Sequence, residues 1–250
     1  MFFKRIFKHS TLKTLSNMSI YDNWFKDFFL GFVFQKLQSN RISILQKKVS
    51  LKINDSSDLM TINEIFNWKI YQTNRMSEYK YLFDLGANIG CASVYFGHAC
   101  PALKKVYCFE PDERVHLDLE DNLKNNLSHL DINLSKTAVT QNGESVQMNL
   151  TSSSRYNSID NNSRFKFIDK VLVQSTSFHA LIKNICSHDP KEVIIKIDIE
   201  GMENSLFKAI QDYGYIGDIV VEGEGFSSNM IGYSMKWNKF NDVYYFSQKD

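Results

Sequence analysis

Apolar residues recur along the chain in three rhythms, and each predicts a different kind of element. Up to residue 40 they fall at helical spacing: Phe3, Phe7 and the pair Leu12/Leu15, with Lys4, Arg5 and Lys8 between them. Over residues 41–53 the period drops to two, with Ile42 and Ile44, then Val49, Leu51 and Ile53, which predicts one or two short strands. Leu59, Ile62, Phe66 and Ile70 return to one helical stripe. Residues 1–75 thus read as an N-terminal extension of basic aromatic helices and short strands, packed on or beside a main domain at 76–250.

From residue 80 the third rhythm begins: short apolar runs alternating with helical stretches. The predicted strands are Tyr81-Leu82-Phe83, Val106–Phe109, Ile132–Val139, Val193–Ile199 and Ile219-Val220-Val221. The predicted helices run from Ala92 to about Cys100, where Pro101 stops the turn, over 113–128, and from Met202 to about Tyr213. Strands separated by helices imply parallel pairing through right-handed crossovers, hence an α/β fold. Two further strand-like runs, Ser145–Leu150 and Val171–Ser175, flank Thr151–Ser163, which is rich in Ser and Asn. That stretch reads as a mobile loop on a hairpin, either a substrate lid or an idle surface loop.

Composition narrows the class. The 250 residues are 43% apolar and 23% charged, ordinary for a globular chain. The net charge of +1 lacks the basic surplus of a nucleic-acid binder. The charge is uneven, however. Residues 1–50 hold nine Lys/Arg against two Asp, and the other 200 hold 20 basic against 26 acidic residues. Phe2, Phe3, Ile6 and Phe7 beside Lys4, Arg5 and Lys8 suit peripheral contact of residues 1–40 with an anionic membrane surface, or a helix packed on the domain. The longest apolar run, Phe28–Phe34, is too short to cross a bilayer, and the N-terminus lacks the continuous apolar region of a signal peptide. Cys91, Cys100, Cys108 and Cys186 form no C-x-x-C pair, so reduced thiols in a cytoplasmic protein are expected, without zinc.

Two segments carry chemistry. Asp84-Leu85-Gly86-Ala87-Asn88-Ile89-Gly90 follows a strand and opens a helix. Gly86 supplies the positive φ of a tight turn, Asn88 tolerates left-handed geometry, and Gly90 lets the helix start close to the sheet. Glu110 ends the next strand, 20 residues past Gly90, where an acid can hold both hydroxyls of a ribose. The spacing fits a dinucleotide's G-x-G-x-x-G poorly. It suits a nucleoside without pyrophosphate, such as S-adenosylmethionine (SAM), with Asp84 assisting the cationic ammonium end. In Ile194–Glu203, Ile alternates with Lys196, Asp198 and Glu200. On a central parallel strand such charges belong at the carboxyl end, lining the ligand crevice; the alternative is an edge strand facing water. Glu222 ends the fifth strand at the same rim.

For an in-line methyl transfer, Asp198 is the first candidate general base and Glu222 the second. Lys196 neutralises the crowded carboxylates or orients the substrate, and Glu200 completes the cluster. No ligand-spacing motif supports a metal at Asp198, Glu200 and Glu222.

The chain resembles the FkbM-like family of class I SAM-dependent methyltransferases over about residues 60–225. The likeness runs through Glu64-Ile65-Phe66, Tyr71, Phe83–Gly90, Phe109-Glu110-Pro111, Asn122 and Asn126, Ala138-Val139 with Gly143, and Lys196–Glu203. It implies a Rossmann-like, mostly parallel seven-stranded sheet with helices on both faces. It further implies SAM contacts at Asp84, Gly86, Ala87, Asn88, Gly90 and Glu110, with Ala138 near the adenine. The acceptor it implies is a hydroxyl of a sugar, glycan or polyhydroxylated metabolite. The chain departs from the family pattern at Ser177-Phe178-His179 and Glu222-Gly223-Glu224, both near the expected acceptor side. An RNA acceptor is disfavoured by the acidic main domain and by the lack of an Asn/Asp-Pro-Pro-Tyr-like motif. A degenerate fold that only binds a partner is the alternative.

Overall fold

A computed structural model of the chain describes residues 20–23, 40–46, 48–159, 166–223, 226, 232–238 and 242–249. Apart from Ile20–Asn23 and Asn40, the helices and the membrane-facing role expected over 1–40 lie outside the described residues.

The described part of the extension holds an antiparallel hairpin, β1 (Arg41–Ile44) and β2 (Val49–Lys52). Helix α1 (Ser56–Ile62) follows, opened by a capping box in which Asp55 accepts from the Ser57 amide and Asp58 returns to the cap. It continues as a π-helical turn over Asn63–Asn67, so the single helix expected across 59–71 is two geometries.

The main unit contains, in order, β3 (Tyr81–Leu85), α2 (Cys91–Ala99), β4 (Lys105–Phe109), α3 (His116–Leu127) and β5 (Asp131–Ser135). After these come β6 (Ala138–Thr140), β7 (Val146–Leu150), β8 (Asp169–Val173), β9 (Ser175–Ser177) and α4 (Phe178–Ile185). The chain then forms β10 (Val193–Ile197), α5 (Glu203–Ile210), β11 (Asp218–Glu222), β12 (Tyr233–Asn238) and β13 (Val243–Gln248). Seven of the strands make one sheet in the order β12-β13-β11-β10-β3-β4-β5. The five from β11 to β5 are parallel, and β13 runs antiparallel beside β11. The fold is therefore Rossmann-like α/β, as expected.

Alternation along the strands divides the core in two. Leu82, Val106, Cys108, Ile194 and Val220 face α2, α3 and the extension, where Ile42, Leu51, Leu59, Ile62 and Tyr71 join the same cluster. Phe83, Leu85, Phe109, Ile195, Ile197 and Val221 face α4 and α5. Both faces are covered, which explains the near-continuous apolar runs of the central strands. At the amino end of β11, the fully buried Asp218 accepts from Arg75 (3.1 Å) and from the hydroxyls of Tyr79, Tyr215 and Tyr245 (2.7, 2.7 and 2.8 Å). A buried carboxylate is tolerable only with such partners.

Three expectations need correction. The strand expected over Ile132–Val139 breaks in two: β5 closes the sheet edge, and β6 leaves to pair in parallel with β9. The run Val171–Ser175 divides likewise, its first part forming the β7–β8 hairpin. The strand expected over Val193–Ile199 stops at Ile197. Asp198 and Glu200 thus stand in the turn beyond it, and only Lys196 of the three charges belongs to the strand.

Candidate functional site

The chain leaves β3 toward β4 on one side, while β10 pairs with β3 on the other, so the sheet order reverses between β3 and β10. Ligands of open parallel sheets bind at such a reversal, outside the carboxyl ends of the strands. Here that position holds a cleft of about 940 Å³, adjoining solvent included.

The glycine turn forms its floor. Gly86, Asn88 and Gly90 all take positive φ, 83°, 48° and 87°. The amides of Gly86 and Ala87 donate to the Phe109 carbonyl, both at 3.0 Å, which fastens the turn to the end of β4. Only glycine fits at 86, because a Cβ there would stand 1.9 Å from the Asp198 carbonyl oxygen. At Gly90 the crowding partner is Leu119 of α3, whose Cδ1 would lie 2.9 Å from a Cβ. Gly90 therefore serves helix packing and does not line the cleft.

Glu110 lines the cleft beside this turn. Its Oε2 accepts from the Asn88 amide (2.8 Å) and its Oε1 from the Asp112 amide (2.9 Å). Burial pushes its pKa up to about 7 against the pull of those two amides. Each oxygen keeps a further lone pair, enough to receive two hydroxyls from a ligand.

Asp84 was expected at the ligand and is found elsewhere. It shares the face of Leu82 on β3 and is fully buried under α2, where Ser93 Oγ donates to its Oδ2 at 2.6 Å. Its Oδ1 receives no hydrogen bond but lies 3.3 Å from Lys196 Nζ. Lys196, itself 2% exposed, lies 3.3 Å from Asp198 Oδ2 and donates to the Gly86 carbonyl at 2.5 Å. Burial disfavours its charge, but Asp84 and Asp198 outweigh that and hold its pKa above the ordinary lysine range. Lys196 thus lies between the two carboxylates, facing both. Ala138 is buried in β6 and does not line the cleft.

The opposite wall comes from outside the sheet. Residues 151–159 leave β7 as a strap with one 3-10 turn, Ser154–Tyr156. Ser154 Oγ donates to Asn88 Oδ1 (3.0 Å), and Ser158 Oγ and the Ile159 amide bond to the Glu200 carbonyl (3.0 and 3.1 Å). Arg155 reaches across to the extension, bonding Thr61 Oγ1 (3.0 Å) and Glu64 Oε2 (2.6 Å). The mobile loop expected over 151–163 is, in its described part, a pinned wall. Arg155 went unnoticed in the sequence, where a lone arginine among Ser and Asn was the sole signal. Glu64 and Tyr71 appeared there only as points of family likeness.

Tyr71 donates to Glu222 Oε2 at 3.2 Å. Burial, then repulsion from Asp198 and Glu64, raises the Glu222 pKa to about 8, with Arg155 and Lys196 opposing. Burial also raises Glu64, against the attraction of Arg155. Of the sequence candidates, Gly86, Ala87, Asn88, Glu110, Lys196, Asp198, Glu200 and Glu222 line one cavity. Glu200 is exposed there. Among the described residues, no three acidic, His or Cys side chains gather to hold a metal ion. Ser177 caps α4, Phe178 is core and His179 bonds Tyr213, all away from the cavity.

A mostly parallel sheet with a ribose-suited acid and a carboxylate cluster across its switch point defines a class I methyltransferase-type fold. The chain belongs to the methyltransferase FkbM domain family, whose model matches residues 84–240. No curated protein matches it significantly. Among solved structures it is similar to a methyltransferase from Geobacter sulfurreducens, at 9% identity over 77% of this chain and 87% of that one, TM-score 0.44. A second, yhhF of Escherichia coli, described as a methyltransferase, shares 14% identity over 84% of this chain and 99% of the other, TM-score 0.47. Likenesses this distant say nothing about the acceptor.

Proposed function

We propose that the chain transfers the methyl group of SAM to a hydroxyl of a small polyhydroxylated molecule, sugar or glycan. The observation that carries this reading is one cavity lined by two unlike groups of residues. One is Glu110 with the Gly86–Asn88 turn, and the other is Asp198, Glu222, Glu64 and Tyr71.

The residues fit the cofactor. Glu110 would hold the ribose hydroxyls, and glycine at 86 lets the turn lie directly against the Asp198 backbone, so that both border the same cavity. Asp84 would act only through Lys196, which holds Asp198 in place. SAM supplies the electrophilic methyl group when bound. Asp198 is partly open to the cavity and paired on one side with Lys196, which supports it as the base that would remove the hydroxyl proton as the new bond forms. General-base help of this kind contributes about 10²–10⁴ in rate. Tyr71 and Glu222 border the same space with a hydroxyl and a carboxyl, groups suited to orienting a polyol through hydrogen bonds.

The test is tritiated SAM incubated with the purified chain and a cell extract, then fractionated into lipid, glycan, protein and RNA. Label is expected in a glycan or small-molecule fraction and absent with Asp198→Ala. Absence of SAM binding by calorimetry removes the reading altogether, and label confined to RNA overturns the acceptor class.

A further inference from the structure

The cavity holds more negative groups than its own cations neutralise. Lys196 is shared between Asp84 and Asp198, each at 3.3 Å, and Arg155 is committed to Glu64 at 2.6 Å. Among the described residues no cation forms an ion pair with Glu222, which instead accepts a neutral hydroxyl bond from Tyr71. The groups facing Glu222 can be named element by element. Glu64 and Tyr71 come from the extension, Arg155 from the strap, and Lys196 with Asp198 from β10 and the turn after it. Glu203 of α5 lies under Gly223, and the Gly223 amide donates to the carbonyl of Asp242 before β13. Carboxylates outnumber cations in this set. The cavity is short of positive charge around Glu222.

SAM differs from its product, S-adenosylhomocysteine, by one methyl group and one positive charge on sulfur. Everything else the two ligands offer is shared, including the ribose that Glu110 is suited to hold. We propose that Glu222 senses the charge on that sulfur: it is neutral in the free protein and with the sulfide product, and ionised while the sulfonium is present. This inference rests on the SAM-dependent reading above.

The physical cause is Coulombic. A unit positive charge within about 10 Å of a carboxyl, at an effective dielectric near 20, lowers its pKa by about one unit or more. Glu222 starts at about 8, so a shift of that size ionises it near neutral pH. The proton count then closes over a cycle. SAM entry expels the Glu222 proton to solvent. During transfer an oxygen lone pair of the acceptor forms the new C–O bond, the S–C pair returns to sulfur, and the hydroxyl proton passes to Asp198. With the sulfonium gone, Glu222 regains its affinity for a proton and stores the one just released. The product complex ends with one fewer charge on each side.

The experiment is calorimetry of the full chain at pH 7, in two buffers of different ionisation enthalpy. The ligands are SAM, S-adenosylhomocysteine and an amine analogue of SAM that is cationic at the sulfur position. SAM and the amine are expected to release up to one proton more than the sulfide. From pH 6 to 8, SAM affinity should gain on the sulfide's by about fivefold in all for a one-unit shift, and by more for a larger one. Glu222→Gln should abolish that difference while still binding the sulfide. If that variant does not fold, Asp198→Asn serves instead, because removing a repelling charge should move the proton release to lower pH. Protons that Glu110 gives up on contact with the shared ribose are common to both ligands, and Glu203→Gln, which removes the other carboxyl raised to about 8, should leave the difference in place. Equal proton release for SAM and the sulfide, or a difference surviving in Glu222→Gln, overturns the inference and leaves SAM dependence standing. No binding of either ligand sinks both.

Discussion

Gly86 and Asp198 lie on neighbouring parallel strand ends and touch through their backbones: a Cβ on Gly86 would stand 1.9 Å from the Asp198 carbonyl oxygen. The two segments that the sequence singled out as chemical therefore border one crevice. Gly86→Ala must shift one of two packed strand ends, and it must also hold alanine at φ 83°. The expected cost is roughly 2 kcal/mol or more of stability, with loss of SAM affinity. Chemical denaturation and calorimetry check it. A variant with unchanged midpoint and binding contradicts the close approach.

Asp198→Asn keeps the shape of the side chain and removes its basicity. Turnover should fall about 10²–10⁴-fold, with SAM affinity within about an order of magnitude of the parent. A comparable loss in affinity and turnover would assign Asp198 to cofactor binding instead of proton transfer.

Lys196→Met leaves Asp84 and Asp198 facing each other without their shared cation. Removing one partner of a buried charge pair costs about 3–5 kcal/mol. The second substitution Asp84→Asn should recover part of that loss, since it removes the fully buried charge. Thermal melts of the single and double variants decide the matter, and additive losses would rule out the coupling.

Glu222 imposes a pH dependence on the free chain. Its folded pKa, about 8, lies above the ordinary glutamate value of 4.5. The folded chain thus keeps a proton that the unfolded chain has already lost. The associated stability is complete below about pH 4.5 and disappears as the pH rises through about 8. The melting temperature of the parent should therefore fall relative to Glu222→Gln between pH 5 and 8. Parallel curves would show that Glu222 keeps an ordinary pKa.

The central strands and the glycine turn were legible because burial on both faces leaves long apolar runs, and a strand-to-helix turn leaves glycines. The alternation of Lys196, Asp198 and Glu200 was read as one strand face. The positive φ of Gly201, 95°, belongs to a turn that ends the pairing earlier, at Ile197. Asp84 looked like a rim residue because it precedes the turn, but the β3 pleat points it under α2. The acceptor-side wall was least visible. Arg155 meets Glu64, and Tyr71 meets Glu222, across long stretches of chain, and neither local periodicity nor composition encodes such meetings. The terminal hairpin of β12 and β13 lies beyond the stretch of family likeness, which implied only the seven-strand total, and its aromatic residues give no clear period.

The cleft's two halves have separate structural origins. Strand ends and their turns make the Glu110 side, so changes there disturb the whole sheet. Thr61–Tyr71 and Ser154–Ile159 wall the other side around Asp198 and Glu222, held by the Arg155 bonds and by backbone bonds of Ser158 to Asn149 and of Ile159 to Glu200. A lineage, or an engineer, can rewrite that second half while the nucleotide grip persists. The strap is the natural segment to exchange between relatives when a new acceptor is sought.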